Sequence, residues 1–196
     1  MNRARLLVWM VLSGAGFFER ESAGATMIKD PHPPKYGLEI EPHLSANFHA
    51  ANDWGYNGIG VGARFSIPLA GPAFISKIND SVAISFGGDL FRSYANIKRG
   101  DGATVTYWSL FLPVALQWNF WLTDKWSAFA EPGVVVRWAF GGCTPADGCK
   151  NPAWLGGAPA FPGLAVGARY HFSGGTPALT FRVGFPTGLA VGVSFF

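Results

Sequence analysis

From Leu38 onward, apolar and polar side chains trade places with a period of two. Leu38, Ile40, Pro42, Leu44, Ala46 and Phe48 fall on one side, and Glu39, Glu41, His43, Ser45 and Asn47 on the other. Two is the period of a β-strand, whose successive side chains point to opposite faces. The pattern returns over 58–69, where Ile59, Val61, Ala63, Phe65, Ile67 and Leu69 oppose Gly58, Gly60, Gly62, Arg64 and Ser66. It returns again over 81–91, where Val82, Ile84, Phe86 and Leu90 oppose Ser85, Gly87 and Asp89.

The run SLFLPVALQWNFWL at 109–122 tests this reading, because with the uncharged ATVTYW before it the stretch is long enough to cross a bilayer as a helix. Its composition argues for a strand. Pro113 sits in the middle, aromatic and β-branched residues abound, and the polar Gln117 and Asn119 are two apart. After Thr123-Asp124-Lys125 the alternation resumes from Trp126 to Phe140, which makes a hairpin with a three-residue loop. Pairing Leu122 with Trp126 sets Gln117 opposite Glu131 and Phe111 opposite Arg137, so polar groups meet on one face. Three more alternating runs, 162–172, 178–185 and 189–196, bring the count to eight. The loops at one end are then 49–56, 93–105, 141–159 and 186–188, and the turns at the other 70–80, 122–125 and 173–177.

On every strand one face is wholly apolar and the other carries the charges. Alternation alone does not say which face is inside, and a soluble barrel with an apolar interior is the competing arrangement. Aromatic positions decide for the charged interior. Trp54, Tyr94, Trp108, Trp138 and Phe140 collect at one end, and Trp118, Phe120, Trp126, Tyr170, Phe172 and Phe195 at the other, as the two girdles of a transmembrane barrel do. The expected fold is all-β: an eight-stranded antiparallel up-and-down transmembrane β-barrel. Pro42, Pro113 and Pro132 each remove a ladder hydrogen bond, so they are expected at bulges or strand ends.

The inward face then holds Glu39, Glu41, Asp89 and Glu131 against Arg64, Arg137, Arg169 and Arg182. Four charges balance four. An eight-stranded barrel is only wide enough for side chains to fill, so these groups are expected to pair with one another and with His43, His171 and Gln117, the alternative being a proton or ion path. The weak repeat GIGVGARF, GLAVGARY and GLAVGVSF keeps the inward face small beside the arginines. It lacks the strand-turn-helix context of a phosphate loop, and no cofactor or metal is expected.

The N-terminus modifies the picture. MNRAR is a short basic start, LLVWMVLSGAGFF an apolar centre and Ala23-Gly24-Ala25 a small-residue cleavage site. Residues 1–25 are therefore read as a signal peptide, 26–36 as a proline-bearing lead-in and 37–196 as the barrel. Removing the leader takes three arginines and two glutamates, which lowers the formal charge from +3 to +2. The remaining basic residues are scattered, so no nucleic-acid surface is expected. Cys143 and Cys149, the only cysteines, lie in the turn-forming GGCTPADGCKNP and read as a loop-closing disulfide in an exported chain.

A signal-like leader, eight alternating strands and the terminal Phe196 together resemble the small outer-membrane barrels of Gram-negative bacteria, the OmpA and OmpX type. The resemblance is architectural and spans nearly the whole mature chain. It implies the bacterial outer membrane, with lipid and lipopolysaccharide as surroundings. Arg92, Lys98 and Arg99 at the outer rim are placed to meet lipopolysaccharide phosphates, and the loops 93–105 and 141–159 to meet a surface ligand or protein. His43-Leu44-Ser45 and His171-Phe172-Ser173 are similar to the His-x-Ser element of outer-membrane lipid A deacylases, where histidine is base and serine nucleophile. The competing reading makes them lumen residues. The expectation is a non-enzymatic barrel with a plugged, charge-paired lumen, against a narrow channel for small or apolar solutes and, further off, a lipid A-modifying hydrolase.

Overall fold

The computed structural model describes residues 35–48, 57–75, 78–96, 104–144, 160–172 and 177–196. The expected leader, 1–25, and most of the expected lead-in, 26–36, fall outside them. Eight strands follow one another: β1 (Glu39–Phe48), β2 (Asn57–Ala70), β3 (Asp80–Asn96), β4 (Thr104–Trp121), β5 (Trp126–Thr144), β6 (Ala160–His171), β7 (Ala178–Phe185) and β8 (Gly188–Ser194). Each pairs antiparallel with the next, and β8 pairs back onto β1, so the sheet closes into a barrel without edges. The run 109–121 lies within β4, and among the described residues no helix is long and apolar enough to cross a membrane.

The β4–β5 hairpin has the register that the alternation predicts. The Leu122 N–H donates to the Trp126 carbonyl at 3.0 Å, and Phe111 stands opposite Arg137. Two strand ends differ from expectation. Asn96 still pairs with Thr104, and Thr104 with Thr144, so the ladder runs well into the expected loops 93–105 and 141–159. Alternation fades there because neither face needs to be apolar once the strands leave the apolar band. The wall is consequently uneven: β3, β4 and β5 have 17, 18 and 19 residues, whereas β7 and β8 have 8 and 7.

The strand prolines share one solution. Pro113 stays in register with Val135 of β5, while the β3–β4 ladder is interrupted at Leu112 and Pro113. Pro132 stays in register with Leu164 of β6, and the β4–β5 ladder is interrupted at Glu131 and Pro132. Pro42 pairs with Ala63 of β2, and the break falls on its β8 side, between the Ile40–Phe195 bridge and the His43–Gly192 pair. Each proline thus costs one of its two ladders a short gap and keeps the other. Pro113 and Pro132 sit mid-strand, not at an end; the wall tolerates them because both neighbours resume pairing on either side. The irregularity in β2–β3 is elsewhere, between Pro68 and Ala70.

The surface inverts that of a water-soluble protein. Leu44 and Ile59 are each 68% exposed, and most outward positions along the strands are exposed leucine, isoleucine, valine or phenylalanine. Inside, the largest fully buried side chains include Arg169, Gln117, Glu39 and Glu41. A closed ladder pairs the backbone along most of the wall, and its apolar coat suits a hydrocarbon surround. Exposed Trp108, Trp138 and Phe140 ring the end where β4 begins and β5 ends, here called outer; Trp126, Phe172 and Phe195 ring the inner end, where the described chain starts and finishes. Trp54 lies outside the described residues.

The charged lumen as candidate functional site

The inward face of β1 presents Glu39, Glu41, His43 and Ser45 in a column, all buried. Alternation places them there, and the opposing strands complete three layers along the lumen.

The middle layer is ionic. Arg182 of β7 reaches across the barrel to Glu41 through two bonds, Nη1 to Oε1 at 2.6 Å and Nη2 to Oε2 at 3.0 Å, and to Glu131 of β5 through Nε at 3.0 Å. Gln117 of β4 donates to Glu131 Oε1 at 2.8 Å. Arg169 of β6 holds Glu39 at 2.8 Å and donates to the Asn119 side chain at 2.9 Å. On the outer side Arg64 Nη2 donates to Asp89 Oδ2 at 2.7 Å, and Asp89 Oδ1 lies 2.5 Å from His43 Nε2. His43 Nδ1 lies 3.6 Å from Glu41 Oε1, which joins the two clusters. Phe129 supplies a ring between two cations, with the Arg169 guanidinium 4.2 Å and the Arg182 guanidinium 5.1 Å from its centroid. A desolvated charge without a partner is costly, and bidentate arginine–carboxylate pairing is the geometry that offsets that cost best.

Close approach explains some of the inward glycines. A Cβ on Gly62 would stand 2.5 Å from Asp89 Oδ1 and 2.6 Å from His43 Nε2, so the His43–Asp89 contact exists only because that side of β2 is bare. Gly167 does the same for Phe129, whose ring edge would be 2.2 Å from an added Cβ. A cavity of about 20 Å³ lies beside Arg64, Ser85 and Glu131 where Gly133 and Gly163 thin the wall, enough for one water molecule. Arg64, whose Nη1 is buried without a hydrogen-bond partner, is among the residues that line it.

The outer layer is apolar. Phe91 and Phe111 meet edge to face with centroids 5.4 Å apart and close on Val135. Arg137 lies here, its guanidinium 5.9 Å from the Phe111 ring. The inner layer is aromatic. Tyr36, Trp121, His171 and Phe196 face one another, with Tyr36 and Phe196 centroids 5.2 Å apart and His171 and Phe196 5.5 Å apart. His171 shares a 2.8 Å hydrogen bond with Ser127. Phe195 keeps the outward parity of Leu189, Val191 and Val193, which leaves Phe196 to turn into the lumen mouth.

The His-x-Ser pattern does not assemble a nucleophile at β1. His43 directs one ring nitrogen to Asp89 and the other to the Glu41 carbonyl at 3.2 Å, and Ser45 Oγ is buried without a hydrogen-bond partner. Ser173 lies outside the described residues. Of the outer-rim residues, Arg92 sits 5.9 Å over the Trp108 ring, while Lys98 and Arg99 fall outside the described residues. Cys143 belongs to β5; Cys149, and with it the expected disulfide, falls outside them. Among the described residues no group of histidine, cysteine or carboxylate side chains is arranged to hold a metal ion.

Asn119, Phe129, Ser127 and Trp121 are lumen residues that a search for charges passes over. Their signal is parity: each has the same strand parity as Gln117 or Glu131, and inward parity alone marks them. No family model matches the chain, and no curated protein does. Among solved structures the chain is similar to the backbone structure of the Yersinia pestis outer membrane protein Ail in a phospholipid bilayer nanodisc, at 13% identity over 82% of this chain and 99% of that one, with a TM-score of 0.35.

Proposed function

We propose that the protein is a non-enzymatic barrel of the bacterial outer membrane whose lumen is plugged and whose biological contacts are made by its rim and loops. The observation that carries this reading is the layered lumen. An ionic layer in which Arg182 bridges Glu41 and Glu131 lies between the Phe91–Phe111 pair on one side and the Tyr36–Trp121–Phe196 cluster on the other. Ions crossing such an interior would have to break desolvated ion pairs and then pass packed rings. Eight strands bring both ends of the barrel to one side, which in this reading is the periplasmic side as in bacterial barrels, with Arg92 near the opposite rim.

The test is refolding into detergent followed by gel mobility with and without boiling, and by conductance of the same sample in a planar bilayer. A heat-dependent mobility shift without steady conductance is the expected result. A stable conductance step from the folded species would overturn the plugged lumen.

A further inference from the structure

The connection between β2 and β3 is long for an inner turn, and it does not hang free below the barrel. Asp80, the first residue of β3, has an even number and therefore the outward parity of Val82 and Ile84, yet it is fully buried. Its carboxylate accepts the backbone N–H groups of Ala73 at 2.9 Å, Phe74 at 3.0 Å and Ile75 at 3.4 Å, and the Trp118 indole N–H at 2.9 Å. Trp118 belongs to the inner aromatic girdle on the outside of the wall. The Phe74 ring meets it edge to face, with centroids 5.4 Å apart at 90°. Val82, the cross-strand partner of Trp118, is only 5% exposed despite its outward parity. The segment is therefore folded up against the outer wall of β3 and β4 and fixed there by one carboxylate.

Folded in this way, it shows its apolar side chains outward. Phe74 is 65% and Ile75 40% exposed, and Leu69 at the end of β2 is 61% exposed. A loop in water would bury such groups or lack them. This patch is continuous with the lipid-facing band through the Phe74–Trp118 contact, and the backbone N–H groups of Ala73, Phe74 and Ile75 are already held by Asp80.

We infer that residues 71–75 are an interfacial anchor, which Asp80 and Trp118 hold against the wall so that Phe74 and Ile75 enter the boundary between phospholipid headgroups and acyl chains at the inner end. The occupant of the patch is lipid, and the inference rests on the membrane reading above. Amphipathic aromatic anchors at that depth set the height and tilt of a spanning barrel.

The experiment places one environment-sensitive NBD label at a time on Phe74→Cys or Val114→Cys, in a Cys143→Ser, Cys149→Ser background. Each protein is refolded into phosphatidylcholine–phosphatidylglycerol vesicles carrying spin labels at a shallow or a deep acyl position. The Phe74 site is expected to emit in the blue and to be quenched more by the shallow label; the mid-wall Val114 site is expected to be quenched more by the deep one. Water-like emission at site 74 with normal deep quenching at site 114 would overturn the anchor and leave the membrane reading standing. Water-like emission at both sites would overturn both, and blue emission at site 74 without quenching by either lipid label would point to a protein contact and overturn the anchor. Asp80→Ala, checked for folding by its heat-dependent mobility, is expected to shift the site 74 emission toward red; an unchanged spectrum would overturn the role given to the carboxylate.

Discussion

The middle and the ends of this lumen fill the same narrow cylinder by opposite means. In the middle, arginines from β2, β6 and β7 meet carboxylates from β1, β3 and β5 in a connected ionic layer, and the sequence distances between partners run from 25 to 141 residues. At the ends, rings and small apolar groups close the space with little charge. The difference matters when a part is removed. Deleting a ring leaves a gap that neighbours or a water can partly fill, whereas deleting one ion strands its partner in a site chosen for being dry.

Arg182 is where that contrast should be largest, since it serves Glu41 and Glu131 together. Arg182→Met is expected to cost about 3–5 kcal/mol, the range for breaking a buried pair from one side. The reading is the urea midpoint of the barrel refolded into phosphatidylcholine vesicles, followed by tryptophan fluorescence. The comparison sharpens with Arg169, whose main carboxylate partner is Glu39. Arg169→Met alone should be clearly worse than Arg169→Met with Glu39→Gln, because the double variant no longer buries an unpaired charge. If the double variant were as unstable as the single, the layer would owe its stability to packing instead of pairing.

Gly62→Ala comes next. The added Cβ meets the Gly88 carbonyl at 2.6 Å as well as Asp89 and His43, and backbone cannot swing away. A cost of about 3 kcal/mol is expected, the upper part of the overpacking range, again as a lowered urea midpoint. Phe129→Leu should follow at about 2 kcal/mol, the value of a desolvated cation–π contact, since it takes the ring from between Arg169 and Arg182 while keeping an apolar filler. A loss no larger than that of an ordinary volume-conserving swap would mean that the two cations gain nothing from the ring.

Much of this was legible in the sequence, for a physical reason. In a barrel with lipid outside and a narrow interior, every strand must alternate, so parity assigned Glu39, Arg64, Asp89 and Arg182 to one face, and the three-residue loop set the β4–β5 register at Phe111 and Arg137. Pairing across the lumen was not legible. Glu39 and Arg169 are 130 residues apart, and only the closure of β8 on β1 decides that β6 faces β1 across the interior. Nor was height legible: parity gives the face of a residue but not its level along the lumen, so it does not tell that Arg137 lies beside the Phe111 ring and His171 beside Trp121. The folding of 71–75 onto the wall was hidden because it depends on Asp80, a residue that reads as an ordinary turn-former until its three backbone donors are seen.

The smallest effect tests the inner end. Ser127 and His171 share one buried hydrogen bond beneath Trp121 and Phe196, and Ser127 lies opposite Arg169 in the β5–β6 ladder, one layer from the ions. Ser127→Ala removes a hydroxyl and leaves a methyl of similar size, so the expected cost is about 1 kcal/mol, that of one neutral hydrogen bond, read as a small lowering of the same urea midpoint. His171→Phe in the same background keeps a ring at a position where Trp121 and Phe196 already stack, so the further loss is expected to be small if the rings carry the position. A large further loss from His171→Phe would mean that the histidine is held by more than Ser127 and the rings, and that the inner end is an extension of the ionic layer instead of a plug of a different kind.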